Sequence, residues 1–267
     1  MVGIIIPAYR AGRYISRCLD SIHAQTYSNY MVLVVVDDAH YDNTLDILKY
    51  HPLAEAGKLV YHCNSSKTTP AISRNIGIAT MRADYDPVFI AFCDADDWWE
   101  PTKLERQLMR MFSLKQEDPV IVMCYTLSTW VFEDGRKEIH GTPHGKVPIW
   151  LVCTAPHSSV LVSARVAELI PFDERLDAAD DYRWLLDIYN AGFEIGSINE
   201  PLTNVGIDGN NLTQGENGKF IMQSARVHWV DREYHIAALK IVLGCALLLK
   251  RKLLGNLGLS AKWSVTA

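Results

Sequence analysis

The chain has 267 residues, 49% of them hydrophobic, with a formal net charge of −5. Length and apolar content suffice for one large α/β domain with a real core, which excludes a disordered chain. The acidic balance excludes the basic footprint of a nucleic-acid binder.

In chain order, short β-rich apolar runs alternate with helical patterns. Residues 2–6 read as a strand, 13–25 as a helix, 31–36 as a strand, and 43–50 as a helix with Asp42 as its N-cap. Residues 58–63, 71–82, 88–93 and 102–112 continue the alternation, the last helix being opened by Pro101. MVGIIIPAYR has no basic leader region, so no secretory signal is expected. Continuous runs such as VLVVV suit strands covered on both faces. The pattern predicts an α/β fold, a Rossmann-like, mostly parallel sheet with helices on both faces.

Beyond residue 120 the rhythm changes. VIVMCY and STWVFEDGRKEI predict strands and a hairpin turning at Asp134 and Gly135, and HGTPHGKVP, with His140 and His144, reads as a solvent-facing loop. A strand over 159–162, helices over 164–169 and 181–190, and a strand over 193–198 follow. From Ile236 onward there are five basic residues (Lys240, Lys250, Arg251, Lys252, Lys262) and no acid, so residues 1–235 carry 21 − 31 = −10. The boundary is therefore drawn between a catalytic-type domain over 1–235 and a basic, apolar helical tail over 236–267. Within the tail a nine-residue apolar stretch, 241–249, is too short to span a bilayer, which takes about 20 residues. An interfacial helix on the inner face of the cytoplasmic membrane is expected, with packing on its own domain or in a homodimer as the alternative. The six cysteines are scattered without a C-x-x-C pair and read as reduced thiols of a cytoplasmic protein.

Three acidic clusters carry the chemistry: Asp37 and Asp38 behind VLVVV, Asp94, Asp96 and Asp97 behind VFIAFC, and Asp180 and Asp181 at a helix start. The C-terminal ends of parallel strands share one edge of a sheet, so the first two clusters should face one cleft. Carboxylates this close repel unless a cation or hydrogen-bond donors compensate, and a divalent metal is one such compensation. Ordinary turn chemistry is the competing explanation for any one pair. No G-x-G-x-x-G, P-loop, G-x-S-x-G or H-E-x-x-H occurs, so a bound phosphate would need another holder, such as a metal on carboxylates. Trp98 and Trp99 offer flat aromatic faces to a ligand ring, against burial in the core.

The ordered set IIIPAYRAGRYISRCLDSIHAQTY, VLVVVDDAHYDNTLDIL, SRNIGIA and FIAFCDADDWWEPTKLERQL resembles the nucleotide-binding half of family 2 glycosyltransferases, here 1–112. SSVLVSARVAELIPFDERLDAADDYRWLLDIYNAGFEI resembles their acceptor half, 113–213. The resemblance implies the GT-A fold and transfer of a sugar, with inversion, from a nucleotide-sugar donor, a UDP-sugar in the first instance, to a glycan or lipid-linked acceptor. It further implies that Pro7, Ala8, Tyr9, Asp37 and Asp38 line the nucleotide pocket, with Arg74, Asp94 and Ala95 beside the donor. Asp96, with Asp94, would hold Mn²⁺ or Mg²⁺ on the diphosphate, and Asp181 would be the general base. Bacterial cell-surface polysaccharide or glycolipid synthesis is the expected setting.

Three departures stand out. TTPAISRN puts Pro70 near the glycine of relatives, Asp208 stands where histidine is common and is a candidate metal ligand, and the Q-x-x-R-W motif of processive synthases is missing, which favours single addition. Two other readings compete. A haloacid-dehalogenase-like phosphohydrolase also uses D-x-D, but after its first strand, and a non-catalytic nucleotide-sugar-binding subunit would not need Asp38, Asp94, Asp96 and Asp181 together.

Overall fold

In the computed structural model the described residues are 1–37, 42–112, 120–141, 155–176, 179–208 and 225. The chain divides into a compact unit over Met1–Asp208 and another over Gly209–Ala267. Apart from Ala225, the second unit, with the basic apolar segment, lies outside the described residues.

The VLVVV-type runs become strands buried on both faces. β1 (Val2–Tyr9) pairs in parallel with β2 (Tyr30–Asp37) and β4 (Phe89–Phe92), and β2 pairs in parallel with β3 (Leu59–Asn64). Between them run α1 (Ile15–His23), α2 (Thr44–Tyr50), α3 (Pro52–Glu55) and α4 (Pro70–Asp84). α1 buries Ile15, Cys18, Leu19 and Ile22, a single stripe at helical spacing. α4 begins at Pro70, whose missing N–H costs nothing at a first helical position, and Thr69 Oγ1 accepts from the Ile72 amide. Gly77 lets α4 press onto β1, because a Cβ there would stand 2.4 Å from Ile5 Cγ2.

The rest of the sheet is mixed. β5 (Trp98–Trp99) and α5 (Lys103–Met111) lead into β6 (Ile121–Phe132) and β7 (Lys137–His140), an antiparallel hairpin turning through Asp134 and Gly135 as expected. β8 (Val160–Ser163) pairs antiparallel with both β4 and β6, and α6 (Ala164–Leu169) and α7 (Asp180–Asn190) follow it. β9 (Glu194–Ile207) then runs parallel to β6, giving the order β3-β2-β1-β4-β8-β6-β9-β5, with β7 on β6.

Two elements depart from the sequence expectation. The strand over 193–198 continues to Ile207, because Pro201 falls at a register shift opposite Leu127, where a proline interrupts little. Trp98 and Trp99 form a short strand against Asn204 and Thr203. Asp42 also acts slightly differently from an N-cap. Its Oδ1 accepts from the amide and hydroxyl of Thr44 while Asn43 occupies the cap position, and its Oδ2 accepts from the Gly12 amide. Of the described cysteines Cys18, Cys93 and Cys124 are buried and Cys63 is exposed, all as free thiols.

Candidate active site

The parallel strands β1, β2 and β4 end on one edge, as their register requires. Pro7, Ala8 and Tyr9 close β1 beside Val35, Val36 and Asp37. Asp37 is buried, and its carboxylate accepts from Asn64 Nδ2 at 2.6 Å, the Thr68 amide at 3.0 Å and the Thr68 hydroxyl at 3.0 Å, with Ser73 Oγ at 3.4 Å. This acid therefore anchors residues 65–69 over the ends of β2 and β3. Asp38 lies outside the described residues. Next to Asp37's strand end, the Tyr9 ring carries the Lys67 ammonium 4.3 Å from its centroid and the Arg10 guanidinium at 4.9 Å. Arg10 adopts φ 52°, a left-handed conformation that is uncommon without glycine.

The turn after β4 carries Asp94, Ala95, Asp96 and Asp97. The Asp97 amide donates to the Asp94 carbonyl at 3.0 Å, closing a tight turn. Burial, then the negative charge of Asp94, pushes Asp96 up to about 6, with Asp208 adding to the effect and Arg17 opposing it. Arg17, on α1, donates to the Asp96 carbonyl at 2.8 Å and lies 3.6 Å over the Trp98 ring. Asp208, just past β9, accepts from the Tyr14 hydroxyl at 2.5 Å. Asp97 is 3% exposed; burial holds its carboxyl well above the usual range, and it accepts from Ser158 Oγ and the Gly206 amide.

Asp94, Asp96 and Asp208 carry hard oxygen donors, and the charges of Asp94 and Asp208 add to the burial that raises Asp96, a repulsion of the kind that a divalent cation relieves. Among the described residues no three His, Cys, Asp or Glu side chains are gathered closely enough to hold a metal ion. Carboxylates of this kind suit a hard cation that takes most of its ligands from phosphate and water.

Arg74 joins the donor side to the second acidic pair. Only 3% exposed, it donates to Asp94 Oδ1 at 2.6 Å and to Asp180 Oδ2 at 2.7 Å. Its Nε and His157 Nε2 are buried without a hydrogen-bond partner among the described residues. His157 stands 3.9 Å from Asp180, and burial, reinforced by the Arg74 charge, pushes its ring well below the usual range, so it is neutral. It packs in an aromatic cluster with Phe92, Phe172 and Trp184.

Asp181, at the start of α7, accepts from the Tyr182 amide at 2.7 Å. Burial, then the charge of Asp180, pushes it up to about 7, with Arg74 opposing and Asp94 adding. A carboxylate with this affinity for a proton is suited to general base catalysis near neutral pH. Ala179 precedes it at φ 60°, a strained position at a candidate site.

The structure brings Arg74, Asp94, Asp180 and Asp181 into one linked set, with Asp96 and Asp208 on its other flank. Ser158, Tyr14 and Arg17 were not singled out by the sequence. For Tyr14, at the N-cap of α1, and Arg17 within it the i, i+3 spacing is a usable signal, whereas Ser158 in HSSV carries none. The tryptophans resolve toward packing. Trp99 is buried and donates from Nε1 to the Ser158 carbonyl, and one face of Trp98 is covered by Arg17. His140 ends β7 stacked on Trp130 at 3.9 Å, while His144 lies outside the described residues.

The family model described as "Glycosyl transferase family 2" matches residues 3–137. An uncharacterized glycosyltransferase of Rickettsia bellii is 27% identical over 217 residues, 79% of this chain and 29% of that protein. The amylovoran biosynthesis glycosyltransferase AmsB of Erwinia amylovora is 27% identical over 209 residues, 75% of this chain and 68% of that protein. Among solved structures, S. aureus TarS 1-349 in complex with UDP-GlcNAc aligns with TM-score 0.64 at 15% identity, covering 97% of this chain and 76% of that one. The mannosyltransferase PcManGT of Pyrobaculum calidifontis, in complex with GDP-Man and Mn2+, aligns with TM-score 0.66 at 13% identity, covering 94% and 74%. At such identities these likenesses establish the fold, which is GT-A.

Proposed function

The chain belongs to glycosyl transferase family 2, and from that premise we propose that it is an inverting glycosyltransferase acting on a nucleotide-sugar donor and a hydroxyl acceptor. The observation that carries the reading is Asp181, raised to about 7 beside Asp180, which Arg74 joins to the acidic turn after β4. In this reading the acceptor hydroxyl attacks the anomeric carbon from the face opposite the leaving diphosphate, and Asp181 takes the hydroxyl proton. Such proton removal is worth roughly 10²–10⁴ in rate. Arg74 holds Asp94 and Asp180 in place, and Asp181, raised to about 7, is assigned the acceptor proton.

Pro7, Ala8, Tyr9, Asp37 and Asp38 are proposed to form the nucleotide pocket, Asp37 by fixing its wall, and Ala95 to lie along the donor. Lys67, from its place over Tyr9, joins them as a cation toward the donor phosphates. Asp96 with Asp94 and Asp208 would hold Mn²⁺ or Mg²⁺, which when bound stabilises charge growing on the diphosphate. A UDP-sugar is the proposed donor, since TarS, of the same fold, is solved with UDP-GlcNAc. A glycan or lipid-linked acceptor of bacterial cell-surface polysaccharide or glycolipid synthesis is in keeping with the amylovoran relative. The tail over 236–267 is proposed to attach the enzyme to the inner membrane surface or to a second copy of the chain. No helix among the described residues is long and apolar enough to cross a bilayer.

A thermal-shift panel of UDP-, GDP- and dTDP-sugars with and without Mn²⁺ tests the reading, because a ligand of the native state raises its stability by mass action. One nucleotide sugar should raise Tm in the presence of metal, and Asp96→Ala should abolish the metal-dependent part. A flat panel across all donors would overturn it.

A further inference from the structure

We propose that Asp97 and Ser158 are positioning residues that fix the spacing between the two carboxylate-bearing segments of the donor site. These are the turn carrying Asp94 and Asp96, and the end of β9 carrying Asp208. The inference rests on the donor-site reading above and goes beyond it by assigning work to a buried acid that touches neither donor nor acceptor.

Two segments distant in sequence converge on the Asp97 carboxyl group. Ser158 Oγ donates to Oδ2, and the Gly206 amide donates to Oδ1 at 3.1 Å. The same Ser158 oxygen accepts from the Asp94 amide at 2.9 Å. One hydroxyl is therefore oriented twice, as donor to Asp97 and as acceptor from Asp94, and its direction is determined. Ser158 is itself fixed, since its carbonyl accepts from Trp99 Nε1 at 2.8 Å and from Thr203 Oγ1 of β9 at 3.4 Å. It is fully buried.

On the other side, β9 passes the turn backbone to backbone. A Cβ on Gly206 would stand 2.7 Å from the Asp96 carbonyl oxygen, so glycine alone permits the approach. Two residues later comes Asp208, held by Tyr14. The Asp96–Asp208 relationship thus depends on the seat of Gly206 against the turn, which Asp97 determines. A planar carboxyl group is suited to this task because its two oxygens, fixed in one plane, engage partners from different segments. Apolar packing could hold the strands together but would not fix their register to the few tenths of an ångström that ligand placement needs.

The test uses the full chain with UDP and, separately, GDP as probes, titrated by calorimetry with Mn²⁺ and with EDTA. Ser158→Ala and Asp97→Asn should each weaken Mn²⁺-dependent nucleotide binding by about tenfold or more, leaving affinity in EDTA within about twofold of the parent. In an Asp208→Ala background, Ser158→Ala should add less than about twofold, since the placement it protects is already without effect. A folded Ser158→Ala chain with the parental metal dependence overturns the proposal. So do effects that simply multiply in the double variant, which would mark a general structural role. If Ser158→Ala does not fold, Asp97→Asn, which keeps the volume and one acceptor, carries the same comparison with Asp208→Ala. Absence of metal-dependent binding of either nucleotide to the parent would instead sink the donor-site reading, and this inference with it.

Discussion

Arg74 and Asp180, 106 positions apart in sequence, are joined by a 2.7 Å hydrogen bond beneath the edge where the acidic turn emerges. The bond distinguishes the two acids at the start of α7. Asp180 is held by a buried guanidinium that also grips Asp94, whereas Asp181 accepts from its neighbour's amide and is raised to about 7.

The assignment of the base follows from that difference. With saturating donor and acceptor, turnover should rise with pH through about 7 and level off above it, because the base must be unprotonated to work. Asp181→Asn should lower kcat by about two to four orders of magnitude and remove this limb while donor affinity changes little. Substantial turnover by Asp181→Asn, with the limb intact, would hand the role to Asp180.

Replacing Arg74 with glutamine should act on both stability and the pH profile. Removing one partner of a fully buried ion pair costs about 3–5 kcal/mol, a figure reduced here because Asp94 is 38% exposed and only Asp180 is largely buried. Arg74 also holds the Asp181 proton affinity down, so its loss should move the rising limb to higher pH. Urea unfolding and the pH–rate profile measure the two effects. A limb that stays in place would mean that Arg74 does not influence the base.

These residues show what the sequence disclosed and what it could not. VLVVV and VFIAFC stated the parallel core, and the acids behind them stated the edge, because strand burial and strand ends are local facts. Helix starts at Ala164 and Asp180 were legible to within a residue. The Arg74 bridge, the Ser158 hydroxyl and the Tyr14–Asp208 contact were not. Each joins segments dozens to nearly two hundred positions apart, and no periodicity encodes such pairings. The length of β9 was hidden by Asn199, Glu200 and Pro201, a breaker pattern that the register shift against β6 absorbs. The role of Asp37 also changed in emphasis. Its position suggested ligand contact, while its side chain is engaged by Asn64, Thr68 and Ser73.

The basic apolar tail makes a separate prediction. The full chain should float with vesicles containing anionic lipid. Replacing Lys250, Arg251 and Lys252 with glutamate should abolish flotation, since each basic residue near the surface contributes about 1 kcal/mol of attraction. A chain ending at residue 234 should also stay in solution. Equal behaviour of all three would direct the tail to a protein contact instead, which sedimentation would then show as a change in oligomeric state.

Lys103 sits where a cation is least at home. It is fully buried at the first position of α5, with its ammonium 2.8 Å from Gln107 Oε1 and 4.1 Å from the Trp99 ring centroid. Burial pushes it down to about 7, against the opposing influence of Cys93 and Cys124. The sign of the linkage follows. The folded value lies below the 10.5 of the unfolded chain, so the unfolded chain binds the proton more tightly and stability climbs as pH rises from about 7 to 10.5. Below 7 the penalty is present in full. Lys103→Met keeps the volume and removes the charge, and replacing a buried ion with an apolar side chain of similar size commonly stabilises by about 1–4 kcal/mol. Losses oppose this gain, about 0.5–2 kcal/mol for the contact with Trp99 and about 1–3 kcal/mol if Gln107 Oε1 is left unsatisfied. Since these losses match the gain, the prediction lies in the pH dependence: the stability of Lys103→Met relative to the parent in urea should be greatest at pH 6 and fall as pH rises from about 7 toward 10.5, where the parent's lysine is neutral in both states. A difference between variant and parent that stays constant from pH 6 to 10 would mean that Lys103 keeps an ordinary proton affinity in the folded chain.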